Sequence, residues 1–164
     1  MDIRITNEIT PSRAGKVMDV LRAPRLWIPT REDYGKGHDT WLQKVESELM
    51  TGKRSALLAR IGDRSVGTVV WRENPDEDGV IDIRNISINP EAKGRYFGAF
   101  MLRNMEYCMR ETKPDATLLR VDTKATNRDM LAFLARQGYE TVDSLDLYES
   151  GKPDVVLEKP YTLN

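Results

Sequence analysis

One cysteine and one histidine in 164 residues leave the chain short of the side chains that disulfides and zinc sites require. Cys108 alone excludes an intrachain disulfide, and His38 alone offers no cluster with zinc-ligand spacing, so a reducing cytoplasm and a chemistry without metal are expected. Charge of one sign is missing too. With 25 basic residues against 26 acidic ones there is no global basic field of the kind that drives sequence-independent nucleic-acid binding, which disfavours nucleic acid as the main partner. No stretch approaches the ~18 apolar residues of a membrane helix. The opening Met1-Asp2-Ile3-Arg4-Ile5 lacks the apolar core of a signal peptide, so a soluble, untargeted protein is expected. There is no internal repeat, linker or low-complexity segment. A hydrophobic content of 40% over this length suits one domain spanning residues 1–164.

What is present alternates between strand and helix patterns. Ile3 and Ile5 mark a short strand, and Thr10-Pro11 supplies an N-cap and a first-turn proline for a helix to about Arg22. Ala23 to Asp39, with two prolines and two glycines, reads as a loop, and Asp39 or Thr40 caps a second helix ending near Gly52. Ser55–Ile61, Ser65–Glu73 and Gly79–Ile88 follow as strands joined by short links, hence antiparallel hairpins. Within the third, Ile81 and Ile83 hold one period-2 phase while Ile86 and Ile88 hold the other. A one-residue β-bulge near Arg84 to Asn85 accounts for the switch.

The segment from Pro90 to Leu102 then joins this strand to a helix through a basic turn containing Gly94 and Gly98. Amides at a helix N-terminus lack intrahelical partners and the macrodipole favours negative charge there, so with Lys93 and Arg95 the turn suits a pyrophosphate. Glu91 to Lys113 carries five basic residues against three acidic ones, in keeping with that role. Phe97, Met101, Met105 and Cys108 or Met109 form the apolar stripe of the helix, which Lys113-Pro114 ends. Thr117–Val121 reads as a buried strand, Asn127 or Thr126 caps a helix ending at Gly138, and Tyr139–Leu147 and Val155–Lys159 complete the order β-α-α-β-β-β-α-β-α-β-β.

Two blocks, Ile88-Asn89-Pro90 through Lys93, Gly94, Tyr96 and Gly98, and Asn127 through Phe133-Leu134 to Gly138-Tyr139, together resemble the GNAT N-acetyltransferase superfamily. The resemblance extends from Ile3 to Pro160. It implies an α/β fold of the mixed α+β kind, with about seven strands in a mostly antiparallel mixed sheet, a splayed bulged strand and about four flanking helices. It further implies acetyl-CoA, or another acyl-CoA, as co-substrate, no metal, a small-molecule or peptide amine as acceptor, and association of two copies.

By position in the family pattern, the cofactor-binding residues are Ile86, Ser87, Ile88, Lys93, Gly94, Arg95, Tyr96, Phe97, Gly98, Ala99, Asn127 and Phe133. The strand segment around Ile86 and Ile88 would pair with pantetheine, the turn would hold the pyrophosphate and Asn127 would bond the pantetheine arm. Asp82 on the bulged strand, and after it Glu73 at the end of the preceding strand, match the proton acceptor that a protonated amine requires. Two positions depart from the family. Tyr96 stands at the middle glycine, where ordinary helical dihedrals would still let the amides of Arg95 to Ala99 face a pyrophosphate. Leu134 stands where the family has a tyrosine that protonates the leaving thiolate, leaving Tyr139, Tyr148 and Tyr96 as nearby hydroxyls without an assigned role.

Several residues carry an ordinary reading beside a functional one. Asp82 and Glu73 also fit as solvated strand charges, Cys108 as a core thiol, and His38 as a surface residue of the glycine-rich loop. Asp76-Glu77-Asp78 fits a solvated hairpin turn, and Trp27 to Tyr34 either packs over the first helices or forms an acceptor lid. The leading reading is an acyl-CoA-dependent N-acyltransferase. The alternative is a domain of the same fold that binds acyl-CoA or a protein without efficient catalysis.

Overall fold

The computed structural model describes residues 3–7, 10–23, 37–92 and 96–162. A seven-stranded sheet runs through it in the order β1-β2-β3-β4-β5-β7-β6. Its strands are β1 (Ile3–Thr6), β2 (Ser55–Ile61), β3 (Arg64–Glu73), β4 (Val80–Ile88), β5 (Leu118–Lys124), β6 (Glu140–Leu145) and β7 (Asp154–Pro160). All neighbours are antiparallel except β4 and β5. Helices α1 (Pro11–Arg22), α2 (Gly37–Met50), α3 (Phe97–Thr112) and α4 (Arg128–Arg136) flank the sheet. The mixed α/β architecture is the expected one.

Each face of the sheet has its own core. On one, Val17, Met18 and Leu21 of α1 and Val45 and Leu49 of α2 pack with Leu58 and Val70. Thr10 caps α1 with its hydroxyl, which accepts from the Arg13 amide at 3.4 Å. On the other face Phe97, Met101, Met105 and Met109 of α3 and Leu134 of α4 pack on Ile81, Ile83, Leu119 and Val121. Full burial of such side chains stabilises by roughly 1.5–3 kcal/mol each. A Cβ at Gly67 would lie 2.8 Å from Met101 Sδ and 3.1 Å from the Ser87 carbonyl, so glycine there lets α3 close on β3.

The bulge sits where the phase of the isoleucines changes. Val70 pairs with Asn85 and Trp71 with Ile83, which makes Arg84 the extra residue. At the same level the parallel ladder between β4 and β5 stops, its last pair being Ile83 and Val121. Beyond it β4 stays with β3, β5 stays with β7, and the two strands diverge.

Some boundaries differ from the sequence expectation. Helix α2 begins at Gly37, so Asp39 lies in its first turn, where a carboxylate interacts favourably with the macrodipole, instead of capping it. His38 belongs to that helix and is largely buried, its ring 5.8 Å from that of Trp41, which corrects the surface reading. Strand β5 continues past Val121 through Asp122, Thr123 and Lys124, each paired with β7. Cys108 is half-buried at the rim of the core and accepts from Asn7 Nδ2 at 3.3 Å. Trp27 to Tyr34 lies outside the described residues. Among the described residues no helix is long and apolar enough to cross a membrane.

Candidate active site

The divergence of β4 from β5 opens onto a cavity of about 730 Å³ on the α3/α4 face, lined by Ile86, Ile88, Phe97, Gly98, Ala99 and Phe133 among others. These are residues that the family pattern assigned to the cofactor. Gly98 sets the width at the helix start: a Cβ there would come within 3.0 Å of Ile88 Cδ1 and 3.2 Å of the Phe133 ring. The first intrahelical bond of α3 is Phe100 N to the Tyr96 carbonyl, 3.0 Å, so the amides of Phe97, Gly98 and Ala99 have no intrahelical acceptor. A cradle kept open by the lack of a Cβ, beside a helix N-terminus, fits an elongated thioester carrying a pyrophosphate.

Tyr96 caps this helix with φ 55° and ψ 12°, the left-handed region, and not with ordinary helical dihedrals. The backbone thus takes a conformation that glycine adopts readily, at a cost of about 1–2 kcal/mol for an L-residue. Its ring is 90% exposed, so no packing compensates. Tyr96 also lines the cavity mouth. Lys93, Gly94 and Arg95 lie outside the described residues.

Other expected residues serve the fold. Phe97 is buried in the core, leaving its amide rather than its ring for a ligand. Ser87 is fully buried, and its hydroxyl donates to Asn85 Oδ1. Asn127 caps α4: its Oδ1 accepts from the Met130 amide at 3.3 Å and its Nδ2 donates to Thr123 Oγ1 at 3.3 Å. Leu134 is completely buried among the core residues beneath α4.

The opposite face of the sheet holds a second, charged cleft of about 520 Å³, lined by Arg72, Asp82, Arg84, Arg120, Asp122 and Glu158 among others. Asp82 is buried, accepts from Asn74 Nδ2 at 3.1 Å, and lies 3.5 Å from Arg72 Nε. Glu73 is not brought there. It lies opposite Ile81, one step along the ladder from the Arg72–Asp82 pair, and its side chain is ion-paired with Lys113 at the C-terminal end of α3. The acidic hairpin is a clamp: Glu77 binds Arg120 through two bonds of 2.5 and 3.0 Å, and Arg120 also donates to Glu158.

Three residues gather at the apex of the divergence that the family pattern did not assign. Arg84, the bulged residue, places Nη1 3.5 Å from Asp122 Oδ1, across the gap between β4 and β5. The Tyr148 hydroxyl donates to Asp122 Oδ2 at 2.7 Å and accepts from Arg84 Nη2 at 3.4 Å. Burial pushes the Asp122 carboxyl above the usual carboxylate range, against the opposing pull of Arg84 and of the Tyr148 hydrogen bond, with Asp154 and Asp82 adding to the upward push. The other two hydroxyls are elsewhere: Tyr139 is buried with an unpartnered oxygen, and Tyr96 projects into solvent.

A sequence profile described as the Acetyltransferase (GNAT) family matches residues 20–139. The fold recurs in a protein from Desulfovibrio desulfuricans assigned to the GNAT family, at 18% identity and TM-score 0.80, covering 98% of this chain and all of that one. It recurs in the PaiA N-acetyltransferase of Thermoplasma acidophilum, solved in complex with coenzyme A, at 17% identity and TM-score 0.74, with coverage of 98% and 100%. A GNAT acetyltransferase from Streptococcus pneumoniae matches at 15% identity and TM-score 0.75, again covering 98% and 100%. No curated protein matches the chain significantly.

Proposed function

This chain belongs to the GNAT acetyltransferase family, and from that premise we propose that it moves the acetyl group of acetyl-CoA, or the acyl group of another acyl-CoA, directly to a primary amine within a ternary complex. The observation that carries this reading is the opening between β4 and β5 beyond Ile83 and Val121, with an apolar cavity on one side of the sheet and a charged cleft on the other. A thioester arm lying along the free side of β4 at Ile86 and Ile88 would pair with the strand as an added strand does. The amides at the start of α3 then face the pyrophosphate.

The acceptor enters from the charged side, as a small molecule or a peptide bearing a primary amine. An amine must be neutral to attack, and Asp82 is the proton acceptor on this reading because it is buried at the floor of the cleft, within the bulged strand. Glu73 has no part in it. A backbone amide at the bulge would polarise the thioester carbonyl.

The test is release of free thiol from acetyl-CoA in the presence of small amines, polyamines and peptides. Direct transfer predicts intersecting double-reciprocal lines when both substrates are varied, whereas parallel lines would indicate a covalent acyl-enzyme and contradict the reading. Cofactor binding without thiol release from any acceptor would favour the binding-domain alternative.

A further inference from the structure

Leu134 leaves the reaction without the hydroxyl that the family places on this helix, and a different element offers another, hydrogen-bonded to two residues of the cleft lining, Arg84 and Asp122. We propose that Tyr148, in the connection between β6 and β7, is the acid that protonates the departing thiolate, with Asp122 and Arg84 as its positioning residues. The assignment rests on the acyltransferase reading above and adds to it the identity of a catalytic group.

The geometry is specific. Asp122 is the first residue of β5 beyond the last β4–β5 pair, so a hydroxyl 2.7 Å from its carboxylate stands at the apex of the gap where a thioester reaching between the strands would end. The loop that carries Tyr148 is held at many points. Asp146 accepts from the amides of Ser150 and Gly151 at 2.9 and 2.7 Å, and Asp154 accepts from the Leu147 amide at 3.1 Å. Lys124 of β5 then anchors the loop from below: its buried ammonium donates to Ser150 Oγ, the Lys152 carbonyl and Asp154, and lies 5.3 Å from the centroid of the Tyr148 ring. Such a loop places one phenol with the precision that proton transfer needs.

In the step itself the amine nitrogen bonds to the thioester carbon and the carbon–sulfur bond breaks. The amine proton passes to Asp82 and from there to water. The sulfur takes the Tyr148 proton, and the phenolate, held beside the Arg84 guanidinium, recovers one from water in the cleft. Counted from the ammonium, nitrogen loses two protons in turn through Asp82 to water and sulfur gains one, so amide, thiol and one released proton are formed and charge and atoms balance.

Tyr148→Phe keeps the ring and removes the donor. The direct test compares binding of coenzyme A and of desulfo-coenzyme A, which lacks the sulfur, to wild type and variant by calorimetry at pH 9, above the ~8.5 at which a free thiol titrates. Wild type is expected to bind coenzyme A about tenfold more tightly than the desulfo compound, the size of one hydrogen bond to a charged acceptor, and Tyr148→Phe to bring the ratio to about one. Binding of desulfo-coenzyme A should stay within twofold, which also certifies the fold of the variant. Asp122→Asn, which retains the hydroxyl but loosens it, should lower the ratio part of the way. An unchanged ratio in Tyr148→Phe, or an equal loss for both ligands, would overturn the assignment while leaving the acyltransferase reading intact. Failure of wild type to bind either ligand would overturn both.

Discussion

The two sides of the opened sheet are built by different means. On the α3/α4 side the cavity centres on backbone and apolar side chains, namely the first amides of α3, the missing Cβ of Gly98, Ile86, Ile88 and the Phe133 ring, with Arg103, Asp129 and Arg136 also in its lining. On the other side the cleft is lined by charged side chains that arrive from five strands, several of which pair with one another. A backbone-built site tolerates sequence change so long as the dihedrals survive. Tyr96 demonstrates this, since it occupies a glycine position and keeps the left-handed glycine conformation. A side-chain-built site depends on individual atoms, so one lost carboxylate or hydroxyl should be felt at once.

That contrast yields a graded set of substitutions. The largest effect is expected on the charged side, where Asp82→Asn should lower kcat about 100-fold with KM for acetyl-CoA unchanged, in a thiol-release assay. Glu73→Gln should stay within twofold, and equal losses in the two variants would erase the distinction drawn between them. On the backbone-built side, Gly98→Val should weaken acetyl-CoA binding at least tenfold in a calorimetric titration and cost about 1–3 kcal/mol of stability through overpacking against Ile88 and Phe133. Unaltered affinity would remove that cavity as the cofactor site.

Two tyrosines sharpen the comparison further. Tyr139 is buried with its hydroxyl unpartnered, so Tyr139→Phe should stabilise by about 1 kcal/mol in denaturant unfolding, and leave thiol recognition untouched. Burial, with the nearby Glu106 charge, raises the pKa of that phenol. The native state therefore keeps a proton that the unfolded chain gives up above its ordinary value near 10. Stability from this group is complete below that pH and declines as pH rises above it, and the variant should lack this alkaline decline. The smallest effect is expected at Tyr96. Replacing it with glycine releases left-handed strain but adds unfolded-state entropy, for a net gain of up to about 1 kcal/mol with cofactor affinity preserved. A loss of affinity would show that the ring itself contacts the ligand.

The same contrast explains which features are legible in the sequence. The α3/α4 side is encoded locally. A phase change among four isoleucines marks the bulge, and a turn with a glycine and a helix stripe marks α3, so both could be placed from short windows of sequence. The cavity on that side follows from those elements because it uses their backbones. The charged cleft is encoded at long range. Arg84, Asp122 and Tyr148 are distant in sequence and meet only through the parallel pairing of β4 with β5 and the fold of the β6–β7 connection. Asp122 was also hidden by its neighbours: Asp122, Thr123 and Lys124 look like the end of a strand, yet they pair with Val156, Val155 and Asp154 of β7. The one available signal was a tyrosine near the C-terminus combined with Leu134 at a position where a hydroxyl was expected. Glu73 shows the converse. It is close to Asp82 in the hairpin register, while its side chain ends in an ion pair with Lys113 away from the gap.

The central claim is that the gap between β4 and β5 receives an acyl-CoA. Calorimetric titration of the intact protein with acetyl-CoA tests it most directly: the account predicts saturable binding at one site per chain, weakened at least tenfold by Gly98→Val, and an absence of binding at millimolar cofactor would contradict it.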